Sequence, residues 1–332
     1  MRYNVPMTDT STQTILVTGA AGFLGSHLCD ALLSKGFSVI GVDNFITGRA
    51  ENLTEAKQQK NFSFIEADVT KDPATYLPSD RTIDGILHFA SPASPPRYQA
   101  HPVETYLVNS HATHLLLSYL REHNPKARFL FASTSEVYGD PLEHPQSESY
   151  WGNVNPNGAR SCYDESKRMG ETICGVFHRD FGFDTRLVRI FNTYGPRMDP
   201  TDGRILPNLI NQALVGESMT IYGDGLQTRS YCFYSDLVAG ILALFEHPDG
   251  AGQTVNLGNQ HEMTILETAQ AISTALSGEK TEPKLSFQPL PKDDPTRRRP
   301  DISKAQSLLG WQPDIEFGVG LQATIDYFRA LR

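Results

Sequence analysis

The stretch Thr18-Gly19-Ala20-Ala21-Gly22-Phe23-Leu24-Gly25 joins the apolar, β-rich run TILVT, which starts at Thr14, to an amphipathic segment. The spacing of that segment predicts a helix from about Phe23 to Lys35. Glycines between a strand and a helix allow a tight turn and a close approach of backbone to a pyrophosphate, which then faces the unpaired N–H groups of the helix start. The spacing is GxxGxxG rather than GxGxxG, and a purely structural turn is the competing reading. Asp43, ending FSVIGVD, stands roughly 20 residues further on, where a carboxylate accepts hydrogen bonds from an adenosine ribose. Its charge also repels a 2′-phosphate, so NAD is favoured over NADP.

Outward from this turn the same rhythm continues. NFSFIEAD, DGILHFA, RFLFAS and TRLVRIF are apolar runs, separated by helical patterns around Glu104 to His123 and about Tyr163 to Phe181. Apolar runs alternating with helices describe a parallel sheet covered on both faces. The expectation is an α/β fold, a doubly wound parallel sheet of Rossmann type with a smaller C-terminal substrate-binding lid. We place a disordered segment at 1–13, the NAD-binding domain at 14–194, and at 195–332 mainly the lid, with scope for the chain to cross back. Asp68 and Val69 after FSFIEA, and Ala90 and Ser91 after DGILHF, end strands beside the dinucleotide. For Asp68 a capping or turn role is the other reading. Phe23, Leu24, Asn44, Thr47 and Gly48 adjoin the glycine turn and Asp43 and are counted with them as cofactor residues.

Composition narrows the function classes. The 332 residues are 39% hydrophobic and 20% charged, as in an ordinary soluble protein. The net charge of −9 is spread along the chain, and the one dense basic run is Arg297-Arg298-Arg299, so nucleic acid is not expected as a partner. Cys29, Cys162, Cys174 and Cys232 form no CxxC pair and no metal-ligand spacing, which suits reduced thiols in the cytoplasm and no metal. No segment approaches the ~20 apolar residues of a membrane span. The polar opening MRYNVPMTDTSTQ has no apolar signal core, and no membrane partner is expected.

Tyr163 and Lys167, in YDESK, fall four apart on one helix face and reach the same point in space. A tyrosine must lose roughly three units from its usual pKa near 10 to act as a base at neutral pH. A lysine and a nicotinamide cation nearby are neighbours of the kind that lower it. Upstream, STSEVYGD (Ser133 to Asp140) follows a buried run and presents Thr134, Ser135 and Glu136 at a strand end.

TGxxGxxG, YxxxK and the hydroxyl after the preceding strand together resemble the extended short-chain dehydrogenase/reductase superfamily. The resemblance makes Thr134, Tyr163 and Lys167 the catalytic set for C4 oxidation of a sugar by NAD. SPASPPRY, STSEVYGD, HPQSESYWGNVNP, CYDESKR, RIFNTYGPRM, YGDGLQTRS, VNLGN and DDPTRRRPDISKA occur in order and resemble the UDP-glucuronate decarboxylases. The implied reaction oxidises C4, loses carbon dioxide from the resulting β-keto acid, and re-reduces C4, giving UDP-xylose.

The runner-up is a 4,6-dehydratase, which carries an Asp-Glu pair where this chain has Ser135-Glu136. An aspartate at 135 would face the substrate carboxylate, and like charges ~4 Å apart repel by about 4 kcal/mol at an effective dielectric near 20. Serine avoids that repulsion and donates a hydrogen bond. Glu136 poses the same difficulty: it points away from the substrate carboxylate or carries a proton. Glu136, a water it holds, or Arg229 is the candidate proton source at C5.

For the UDP-sugar, Asn192, Arg204, Tyr222, Arg229 and Arg298 are the expected contacts, guanidinium forks being suited to phosphate oxygens. Arg297 and Arg299 read as a solvated face. The superfamily resemblance adds Asp301 for a ribose hydroxyl. Pro92 and Tyr98 belong to a proline-stiffened loop that either covers the sugar or is structural. A homodimer through the helices at about Glu104 to His123 and Tyr163 to Phe181 is implied by the resemblance.

Overall fold

The protein is described by a computed structural model covering residues 13–290 and 297–332. The expected disordered segment 1–13 lies outside these residues except for Gln13. Six strands, β1 Thr14–Thr18, β2 Ser38–Asp43, β3 Phe62–Glu66, β4 Gly85–His88, β5 Arg128–Thr134 and β6 Asp184–Ile190, join the strand Thr254–Leu257 in one sheet. Its order is 254–257, β6, β5, β4, β1, β2, β3, with every neighbouring pair parallel. The order reverses between β1 and β4, where a doubly wound sheet opens a crevice beyond its carboxyl ends.

Alternating side chains of each strand enter different cores, which is why the strands read as unbroken apolar runs. Ile15 and Val17 of β1 and Leu130 of β5 pack with Leu28, Leu32 and Phe245, whereas Leu16, Phe129 and Phe131 pack with Leu116, Leu120 and Phe177. Helix α1 (Phe23–Ser34) covers the first face. The second is covered by α4 (His111–His123) and α5 (Ser161–Phe181), with α2 (Pro95–Ala100) and α3 (Pro102–Asn109) nearer the cleft. The helix expected around Glu104 to His123 is divided between α3 and α4 at Ser110. The Ser110 hydroxyl donates back to the Tyr106 carbonyl at 2.5 Å, and such bonds bend helices.

A third core, built on Leu209, Ile210, Ile221, Ile272, Ile325 and Phe328, forms the smaller body over the strand ends. The chain beyond 195 serves both bodies. Helix Tyr234–Glu246 and strand Thr254–Leu257 return to the main sheet, and helices Ile205–Leu214, Ile265–Ser277 and Phe317–Ala330 build the smaller one.

Arg186 of β6, 1% exposed, secures this return. Its guanidinium donates to the carbonyls of Leu244, Phe245 and His247 at 2.6–2.8 Å, closing the end of the returning helix, and pairs with Asp184 through two bonds. Helix ends leave carbonyls unsatisfied, and a cation there also meets the negative end of the dipole. Arg186→Leu is expected to lower stability by about 2–4 kcal/mol, read as an earlier urea midpoint, because several buried acceptors lose their donor.

Candidate active site

The glycine turn builds a backbone cradle. Gly19, at φ 72°, donates its N–H to the Val42 carbonyl at 2.8 Å, and a Cβ there would lie 2.7 Å from the Ala90 nitrogen. A Cβ on Gly25 would collide with the Gly19 carbonyl. Helix α1 opens at Gly22 with no side-chain cap and no acidic residue in its first turn, leaving its N–H groups for an anion. Asp43 is buried and accepts from the Ala21 and Phe45 N–H groups at 2.9 and 2.8 Å, with Gly48 packed on its carboxylate. Burial pushes its carboxyl above the usual range, against the pull of those bonds. These features fit a dinucleotide pyrophosphate and ribose.

Among the other cofactor positions, Phe23, Leu24, Thr47 and Ser91 line the cleft with Gly19, Gly22 and Gly25. Ala90 donates to the Thr18 hydroxyl, whose oxygen is 2.6 Å from His88 Nδ1. Asn44 accepts from the Ile46 N–H, and Val69 is buried in the core. Asp68 Oδ1 accepts from the N–H and hydroxyl of Thr70, a local turn.

A cleft of about 530 Å³ runs from this cradle past Tyr163 to Tyr222 and Arg298. Thr134, Ser135, Glu136, Tyr163, Lys167, Asn192, Arg204 and Arg229 also line it. Thr134 ends β5, and its hydroxyl shares a hydrogen bond with Tyr163. Burial holds the Tyr163 hydroxyl well above its usual value, opposed by that bond. Lys167 Nζ donates to the Ala132 carbonyl at 2.7 Å and lies 5.7 Å from the Tyr163 ring centroid. Burial pushes this ammonium down to about 7. Tyr98 is outside the cleft lining: it is buried, stacks on Tyr163 with centroids 4.9 Å apart and rings 6° from parallel, and its hydroxyl has no partner among the described residues.

Glu136 occupies the first turn after β5. Its carboxylate takes two bonds from Arg298, at 2.6 and 2.8 Å, and a third contact from Arg160 at 2.7 Å. Burial opposes its ionisation, but Arg298 first and Arg160 next overcome this, with Arg229 adding to them, and hold the carboxyl down to about 2. Glu136 is thus ionised and directed at guanidiniums. The fork of Arg298 is delivered by a braced loop: the Arg299 N–H donates to Gln146 Oε1, and Asn256 donates to the Gln146 and Asp301 carbonyls. Arg297 is exposed, whereas Arg299 is half-buried and pairs with Glu262.

Arg204 pairs with Asp202 through two bonds beside Tyr163. Pro92 precedes the cleft-lining residues Ala93 to Pro96 without lining it. The Asp301 carboxylate lies outside the lining and accepts from the N–H and hydroxyl of Ser303, at the start of helix Ser303–Leu309. Sequence reasoning missed Arg160, Asp164 and the Arg97–Asp199 pair at 2.5 Å, which links α2 to the lid. Asp164 falls inside the stretch CYDESKR already singled out, and Arg160 lies two residues before it, so nearness to Tyr163 was the available signal.

Residues 15–258 match the sequence family described as the NAD dependent epimerase/dehydratase family. A UDP-glucuronic acid decarboxylase 1 of Danio rerio is 46% identical over 322 residues, covering 97% of this chain and 74% of that protein. A UDP-glucuronic acid decarboxylase 1 of Arabidopsis thaliana is 48% identical over 315 residues, covering 95% and 69%. A solved UDP-glucuronic acid 4-epimerase from Bacillus cereus, in complex with UDP-glucuronic acid and NAD, superposes with a TM-score of 0.84 at 30% identity, covering 96% of this chain and all of that one. A dTDP-glucose 4,6-dehydratase from Streptomyces venezuelae gives 0.85 at 28% identity, covering 96% and 97%. The chain belongs to the NAD dependent epimerase/dehydratase family and, within it, to the UDP-glucuronic acid decarboxylases.

Proposed function

We propose that the protein converts UDP-glucuronate to UDP-xylose by C4 oxidation, loss of carbon dioxide and re-reduction. The observation that carries this reading is the charge balance at Glu136. Its carboxylate is offset by Arg298 and Arg160, with Arg229 beside them, so a substrate carboxylate meets cationic groups rather than a bare anion. Ser135, buried at the cleft wall, offers a hydroxyl where a dehydratase would need an acid.

Bound NAD would supply a reversible hydride acceptor for C4. The glycine cradle and Asp43 hold it, and Tyr163 takes the C4 hydroxyl proton while Thr134 fixes that hydroxyl's position. Lys167 keeps a cationic or hydrogen-bonding group beside Tyr163. Thr134 and Ser135 donate to the C4 oxygen and the carboxylate region, stabilising the negative charge that develops as carbon dioxide leaves. The electron pair of the broken bond stays on the sugar as an enolate, and a proton then forms the new C5–H bond. Asn192, Tyr222, Arg204, Arg229 and Arg298 are assigned to the UDP-sugar, with Tyr98 bracing Tyr163. For Asp301, whose Oδ1 is engaged with Ser303, the ribose contact falls to Oδ2.

We assign the protein to the cytoplasm, since its four cysteines are free thiols. We also assign it a homodimer through α3 and α4, which span Glu104 to His123, and α5; Val103, Tyr106, Met169 and Phe181 are exposed apolar side chains on α3 and α5.

Incubation with UDP-glucuronate, followed by NMR, is expected to show a UDP-pentose, and dTDP-glucose is expected to remain unchanged. An inert UDP-glucuronate beside a 4-keto-6-deoxy product would establish the dehydratase instead. Tyr163→Phe is expected to cut turnover by about 10²–10⁴-fold with NAD still bound. Arg298→Ala is expected to raise KM at least about tenfold, the scale of losing one member of a buried charge pair. An unchanged KM removes Arg298 from the substrate site.

A further inference from the structure

Loss of carbon dioxide from a carboxylate consumes one proton per turnover. The bond from C5 to the carboxyl carbon breaks, its electron pair remains on the sugar, and C5–H forms. The groups facing the cleft are poorly suited to supply that proton. Glu136 is held ionised by its arginines, and guanidiniums do not release protons in proteins.

Behind Glu136 lies a second, smaller cavity of about 60 Å³, ample for at least one ordered water. Glu136 and Arg160 line both it and the main cleft, so these two side chains form the partition. Asp164, one residue after Tyr163, lines the small cavity from α5, and Asp140, Asn153 and Asn155 form much of the rest. Asp164 is 6% exposed, and its Oδ1 is buried with no hydrogen-bond partner among the described residues. A buried carboxylate oxygen without a donor is costly, and protonation removes that cost.

The charged and titratable groups around Asp164 come from several elements: Glu136 after β5, Arg298 from the C-terminal loop, Tyr98 from α2, and Arg160, Cys162, Tyr163 and Glu165 at or beside the start of α5. Burial first, then the Glu136 charge, pushes the Asp164 carboxyl up to about 8, against the pull of Arg160 and Arg298. Both influences favour its protonated form.

We propose that Asp164 is the proton store for reprotonation of C5, discharging through the small cavity and across the Glu136–Arg160 partition. In this step the Asp164 O–H bond breaks towards a cavity water. A water held by the still-ionised Glu136 carboxylate at the partition takes up that proton as it gives one of its own to C5, where the C–H bond forms. Asp164, left as a carboxylate, regains a proton from solvent. Asp164 touches no substrate atom and acts through Glu136, so it is a positioning and supplying residue rather than a catalytic one. The proposal rests on the decarboxylase reading.

The test compares the NAD-loaded wild type, Asp164→Asn and Asp164→Glu with UDP-glucuronate, following product, the near-ultraviolet absorbance of bound NADH, and the pH profile of kcat. The store works while protonated, so wild-type kcat should fall as pH rises through about 8. Asp164→Asn should keep its melting temperature and its oxidation step, slow turnover by about 10–100-fold, accumulate NADH in the steady state, and lose that alkaline limb. Asp164→Glu should restore turnover with a displaced limb. Slower turnover without NADH accumulation, or an unaltered pH profile in Asp164→Asn, overturns the proposal. Should Asp164→Asn not fold, an unmoved limb in Asp164→Glu overturns it equally. A wild type that yields no UDP-pentose fails the decarboxylase reading itself, a result distinct from either.

Discussion

A carboxylate buried at the end of a central strand survives as an anion only if the fold brings cations to it, and Glu136 sets that requirement here. The two bonds from Arg298 and the contact from Arg160 come from segments distant in sequence, which meet only because the long loop after β5 is braced against the C-terminal loop. Gln146 and Asn256 hold that brace through buried backbone bonds. The ion cluster therefore orients the wall of the cleft as well as setting its charge. Removing one partner would leave the others buried and uncompensated, a more severe loss than an exposed pair would suffer.

The same strand end divides its labour residue by residue. Ser133, also at the cleft wall, donates its hydroxyl to Glu171 of α5, which is gripped in turn by Arg189 of β6. This network fixes β5 against the helix that carries Tyr163 and Lys167, so the Thr134–Tyr163 contact is inherited from a rigid junction. In the proposed reaction Thr134 serves the oxidation, Ser135 the carboxylate, and Glu136 the charge balance. Three successive residues thus meet three different demands, made possible because the strand gives way to a tight turn immediately after Thr134.

Much of the architecture was legible because its signals are local. Parallel strands covered on both sides must be apolar throughout, and the glycine turn needs residues without a Cβ at Gly19 and Gly25. Tyr163 and Lys167 share a helix face through a spacing of four. The break at Ser110 was not legible, since the apolar periodicity runs through it and only a back-bonded hydroxyl marks it. Asp164 was passed over because a charged residue in the first turn of a helix ordinarily faces water. Its burial depends on Arg298 and Glu136, more than a hundred residues apart. Asp68 and Asp301 each turn one carboxylate oxygen, Oδ1, to the hydroxyl and N–H group two residues on, the turn role that was the other reading of Asp68.

The return of the chain to the main sheet bears on how such an enzyme can change its preferences. The edge strand Thr254–Leu257 and the helix Tyr234–Glu246, clasped by Arg186, are inserted between segments that build the smaller body. The smaller body is consequently not a module that can be cut off and replaced, since excising everything beyond residue 195 would strip a strand and a covering helix from the main sheet. New specificity on this framework has to arise by point changes and loop grafts within one interlaced polypeptide, with the seven-strand sheet as the fixed reference.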